Sequence, residues 1–262
     1  MLTNEQNIGV WNVIKLKSTN LCRVLRKQMF DYCKVVNKVQ RDLIMMDMIR
    51  RVECNSYSIM LLSEQSLQGN GSTYLKLPVG LLLRTCISDC LMGLYVSLLS
   101  QDELTVFVQS LNKDYVISLL PRVDVYKDKV SALGFTDEFI ENLYLLQLED
   151  NYYEYLSLDK TTGEFTKIPM WGVENKCKTI TLKGIVDILK KNEYTSIIAQ
   201  KLFAYYKYFS QYEHFSESGY GDALVDFGND NISFEKALDN LQISINMLLK
   251  DINSLIETPP KS

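Results

Sequence analysis

Residues 77–100, LPVGLLLRTCISDCLMGLYVSLLS, decide the fold. The run is apolar on nearly every side, and a helix that is hydrophobic all round is a central, buried one. Two charges, Arg84 and Asp89, interrupt it. A buried charge persists only where a partner answers it. Successive helical residues turn by about 100°, so these two, five positions apart, point about 140° away from each other. They are poorly placed to satisfy one another, and each calls for a partner on a different helix. The expected architecture is mainly α, a multi-helix bundle around this central helix.

The rest of the composition narrows the function classes. The chain has 262 residues, 47% hydrophobic and 23% charged, with a formal net charge of −4. That balance exerts no global pull on nucleic acid or an anionic membrane, so any nucleic-acid contact has to come from a local patch. Six cysteines stand at 22, 33, 54, 86, 90 and 177 without a CxxC pair, and His214 is the only histidine. A zinc site is hard to assemble from that set, so no metal and no cofactor are expected. The cysteines read as buried free thiols in a reducing cytoplasm. The N-terminal MLTNEQNIGVWNVIK lacks the pattern of a secretion signal. The central run approaches the roughly 20 residues of a membrane span. Arg84, Asp89 and its hydroxyls argue instead for a place inside the protein, with no membrane partner.

Upstream of the central run, Val10, Trp11, Ile14 and Leu16 suggest a short amphipathic helix within 1–17. From Asn20, Cys22, Leu25, Met29, Tyr32 or Cys33, Val36, Val39, Leu43 and Met46 recur every three or four residues, which marks a second amphipathic helix. Its opposite side carries Arg23, Arg26, Lys27, Lys34 and Lys38, with Arg41 beyond. This basic face is the local candidate for RNA or another anionic partner; a solvated face balanced by acidic neighbours is the competing reading. No proline or glycine falls between Val10 and Gln68, so two long helices with a break near Cys54–Ser58 are expected. The loop 69-GNGST-73 then leads into the central helix.

Downstream, Gln101–Leu119 reads as one or two short helices, Pro121 as a breaker, and Phe135–Leu148 as a helix capped by Thr136. The segment near 150–171 reads as a small irregular or β-hairpin insertion. Its Tyr152, Tyr153 and Tyr155 suit either packing or base stacking. Thr181 opens a modest helix and Tyr194–Phe215 forms a strong one. Phe234, Leu238, Leu241, Ile245, Leu248, Ile252 and Leu255 make a heptad seam behind Ser233 as N-cap. That seam serves packing within the bundle or a homodimer coil. The expected organisation is one helical domain over 1–258, with an insertion at about 101–180 and a tail at 259–262.

Within KYFSQYEHF, Lys207, Ser210 or Gln211, and His214 lie three, four and seven apart and share one helical face. An imidazole beside a cation and a hydroxyl can move a proton while the cation steadies developing negative charge. In the opposing reading His214 is a polar tie between helices, with Glu213 or Asp89 as its mate.

The order of these features resembles a group of uncharacterised bacterial all-helical proteins. Those carry an apolar helix with an LxR…acidic core, a Trp-Gly loop, and a tyrosine-rich helix running into a Ser…His. The matching pieces are LLLRTCISD (Arg84, Asp89), MWG (Trp171, Gly172) and YYKYFSQYEHFS (Tyr205, Tyr206, Ser210, His214). The resemblance implies that arginine, acid and histidine meet in the bundle interior. More distantly, the chain looks like the HEPN superfamily, whose ribonuclease members pair an arginine with a histidine across a dimer. Here Lys207 stands in place of that arginine, and Arg84 would supply the guanidinium through space. Two functions are therefore expected. One is a HEPN-like, RNA-acting effector of a phage-defence or toxin system, a metal-independent ribonuclease with His214 as general acid or base. Arg84 and Lys207 would support charge there, and Asp89 and Ser210 would assist. The other is a non-catalytic helical interaction or scaffold protein in which Arg84, Asp89 and His214 form a structural network.

Overall fold

The computed structural model describes residues 3–33, 40–111, 157–158, 165–166, 180–212 and 230–256. Among them the protein is mainly α, with seven helices. These are α1 (Asn4–Cys33), α2 (Gln40–Gln68), α3 (Lys76–Leu98), α4 (101–111), α5 (Leu182–Leu189), α6 (Ser196–Ser210) and α7 (Asp230–Ile256). The chain divides into two compact units, Met1–Leu98 with Thr181–Ser262, and Leu99–Ile180. The first holds α1–α3 and α5–α7. In the second, α4 and one short antiparallel pairing are described, with Ser157 opposite Thr166 and Leu158 opposite Phe165. Of the helical stretch expected over Gln101–Leu119, the part beyond residue 111, together with the expected helix at Phe135–Leu148 and Tyr152, Tyr153 and Tyr155, lies outside the described residues.

In the first unit α3 is the central helix, packed against α2, α5, α6 and α7. Val79, Leu83, Cys86, Ile87 and Leu91 are wholly buried along it. Each such side chain contributes about 1.5–3 kcal/mol by leaving water. Pro78 sits in its first turn, where the backbone N–H groups have no intrahelical partner to lose. By length and apolarity alone α3 would also suit a membrane span; in the fold 61% of its most apolar stretch is buried. The loop before it turns through left-handed backbone at Asn70 and Gly71, and the Trp11 indole donates to the Ser72 carbonyl at 3.0 Å.

Two boundaries differ from the sequence expectation. Residues 4–33 form one helix, with no division near Leu16–Asn20. The polar residues there are absorbed: the Ser18 hydroxyl folds back onto the Ile14 carbonyl, and Lys17 pairs with Asp239 and Glu235 on α7. Nor does α2 break at Cys54–Ser58, where Ser58 bonds the Cys54 carbonyl and Ser56 is buried. At the end of the chain, Ser233 lies inside α7 and is not its cap. Thr181 does cap α5, accepting from the Gly184 N–H at 3.1 Å. The heptad seam packs within the chain: Phe234 meets Phe209 edge-on at 5.0 Å, and Leu248 lies against Gly93.

Gly80 sets how closely α3 approaches the end of α6. A Cβ built there would stand 2.3 Å from a Tyr212 ring carbon and 3.3 Å from a Phe209 ring carbon. Two rings wedged in a core cannot both yield, so overpacking outweighs the roughly 1 kcal/mol that alanine gains in helix propensity. Gly80→Ala is expected to lower stability by about 1–3 kcal/mol in chemical denaturation. Gly93→Ala meets the flexible ends of Leu248, at 3.0 and 3.4 Å, and of Met48, at 3.8 Å, and should cost less.

Candidate functional site

The two charges of the central helix are answered by different helices, as their angular separation requires. Tyr206 and Ser210, one turn apart on α6, present a shared face to Arg84. Arg84 donates from Nε to Ser210 Oγ at 3.0 Å and from Nη2 to the Tyr206 hydroxyl at 3.1 Å. Its guanidinium carbon lies 4.9 Å from the Tyr206 ring centre. The Ser210 hydroxyl spends its own proton on the Tyr206 carbonyl at 2.7 Å, leaving its lone pairs for Arg84. Bond directions are therefore consistent around the cluster.

Asp89 turns the other way, toward α2. Its Oδ1 forms an ion pair with Arg51 Nη2 at 3.1 Å, while Oδ2 is buried and finds no hydrogen-bond partner among the described residues. Asp89 is 5% exposed, and burial pushes its carboxyl up to about 6, partly offset by the Arg51 charge. Burial likewise raises the neighbouring thiols, Cys90 to about 12 and Cys86 well above its ordinary value. Both are neutral, inert groups. The expectation of buried thiols holds for Cys22, Cys86 and Cys90, but Cys33 and Cys54 are exposed. They stand on the outward faces of α1 and α2. Cys177 lies outside the described residues.

Arg84 and Asp89 thus share no bond, and the shared interior cluster implied by the resemblance does not form between these two. His214, Trp171 and Gly172 lie outside the described residues. Lys207 is exposed and reaches back over the Phe203 ring at 4.8 Å, making no contact with Arg84. On the basic face, Arg23, Arg26 and Lys27 are exposed on α1, and Lys34 and Lys38 are outside the described residues. Arg26 is not free: it pairs with the nearly buried Glu53 and stacks over Tyr57, its guanidinium 4.8 Å from the ring centre.

Two arginines that the sequence reading passed over join this region. Arg50 and Arg51, exposed on α2, line a depression of about 630 Å³ with Asp47, Cys54, Asn55 and Thr85 of α3. The consecutive arginines in MIRRVE were the available signal; which way they face depends on how α2 seats on α3. No group of three or more histidine, cysteine or carboxylate side chains that could hold a metal occurs among the described residues. Comparison with protein-family models, with curated proteins and with solved structures gives no match.

Proposed function

We propose that this chain is a non-catalytic helical interaction protein whose interior charges set helix register instead of acting on a substrate. One observation carries the reading: Arg84 and Asp89, the charges embedded in the central helix, are each engaged by a different neighbouring helix. A guanidinium held by two hydroxyls and a ring has two of its donors committed to the neighbouring helix. A carboxylate with one oxygen on an arginine and the other enclosed has no path to a reacting atom. Such groups fix helix register, while the exposed Arg23 of α1 and Arg50 of α2 stand toward a partner.

A HEPN-like, RNA-acting effector with His214 as general acid or base is the second reading. It is favoured by one fact: Ser210, bonded to Arg84, stands only four residues before His214. An RNA-cleavage assay on wild type and His214→Ala, with melting temperatures for both, separates the two. The interaction reading expects no cleavage above background from either protein. Cleavage by wild type that is abolished in a normally folded His214→Ala would overturn it and install the second.

A further inference from the structure

We infer that the outward face of α1 and α2, continued into the depression between α2 and α3, is a docking surface for single-stranded nucleic acid. The inference rests on the interaction reading and names the class of partner. Charge is strongly segregated along this chain. Residues 1–98 hold 12 of the 28 lysines and arginines but only 7 of the 32 acidic residues, a formal +5; the remainder carries 16 and 25, a formal −9. The compact unit that holds α1–α3 also includes 181–262, with 8 basic and 11 acidic residues, so it carries a formal +2 against −6 for 99–180.

Part of the surplus stands on the outward side of α1 and α2, with Asp47 beside it in the depression. α1 and α2 run antiparallel, as the contacts Trp11 to Ser72, Lys15 to Glu64 and Arg26 to Glu53 fix. That register brings Lys27 and Phe30 level with Arg50. Arg23, Lys27 and Arg50 are exposed and make no ion pair among the described residues. Arg51 is 65% exposed yet anchored by Asp89, so its position is set before a ligand arrives. Among these cations stand exposed rings: Phe30, 66% exposed, and Tyr57 with Arg26 already stacked on it. Cations release the counterions of a phosphodiester chain, and accessible rings offer faces to unpaired bases. A duplex would use the cations and leave the rings unused, which is why the single-stranded form fits better. The amide of Asn55 and the hydroxyl of Thr85 line the same depression.

The test is fluorescence anisotropy with labelled 20-mers of uridine and of thymidine, titrated from 50 to 300 mM salt, on wild type and on the Lys27→Glu/Arg50→Glu double variant. Both residues are exposed and free of ion pairs among the described residues, so melting should be unchanged. Expected are saturable binding at 50 mM salt, a steep loss with salt, and at least a tenfold weakening in the double variant. Tyr57→Ser, which removes the ring alone, should weaken binding with the salt slope preserved. The idea falls if wild type binds neither oligonucleotide, or if the folded double variant binds as well as wild type. It also falls if sedimentation shows the basic face taken up by a salt-sensitive homodimer that excludes the oligonucleotide. Binding without cleavage keeps both proposals, cleavage overturns only the non-catalytic reading, and absence of binding overturns only this one.

Discussion

Between pH 8 and pH 4, Asp89→Asn is expected to lose its advantage over wild type by about 3 kcal/mol. Burial holds the Asp89 carboxyl at about 6, above its ordinary 3.8. Such a group favours the folded state when protonated. Its contribution is fully present below pH 4 and is lost as pH rises through 6. A difference near two pKa units corresponds to about 3 kcal/mol. Asparagine keeps the shape and the acceptor for Arg51 but never ionises, so it escapes the loss. The amide nitrogen would occupy the site of the unpartnered Oδ2, and leaving it unsatisfied adds a roughly constant cost of about 1–3 kcal/mol. That offset moves the mutant curve up or down without changing its slope relative to wild type. The measurement is the difference in unfolding free energy between the two proteins across the range, which cancels all other titrating groups. Parallel curves would mean that Asp89 is ionised at no cost, through solvent access or a stronger pairing with Arg51 than the 3.1 Å contact provides.

The central helix and its two charges were legible because each rests on local information. An apolar run marks burial, and 100° per residue fixes the divergence of Arg84 and Asp89. The identity of the partners was not legible in the same way. Arg51 lies 38 positions before Asp89, and nothing in MIRRVE says which arginine faces inward until α2 is seated on α3. The misplaced boundaries share one physical cause. Lys17 with Ser18, and Asn55, Ser56 and Ser58, look like interruptions to a periodicity argument. In the fold Ser18 and Ser58 return their hydroxyls to carbonyls one turn back, and Lys17 finds acids on α7. Polar residues that bond their own helix, or a distant one, do not end it. The candidate site was half legible: Ser210 and Tyr206 stood in the tyrosine-rich motif, but their contact with Arg84 spans more than 120 residues.

Arg84→Ala is expected to destabilise the protein by about 2–4 kcal/mol. Asp89 is served by Arg51, so the substitution leaves Asp89 with its partner. What disappears is a pair of hydrogen bonds from a charged donor, each worth about 1.5–3 kcal/mol at most, together with a guanidinium stacked on the Tyr206 ring. Part of that loss is recovered, since Arg84 is only partly buried and water can reach the hydroxyls it vacates. Arg84→Lys tests the geometry separately from the charge. An ammonium can reach Ser210 or Tyr206 but cannot span both with a planar fork, so lysine should restore well under half of the loss. Arg84→Met, which keeps the apolar stem, should fall between alanine and wild type. Equilibrium urea unfolding of the four proteins reads all three. An Arg84→Ala protein as stable as wild type would show that the contacts to α6 carry no net energy. It would then release Arg84 from its structural role, and the interaction reading would lose the observation on which it stands.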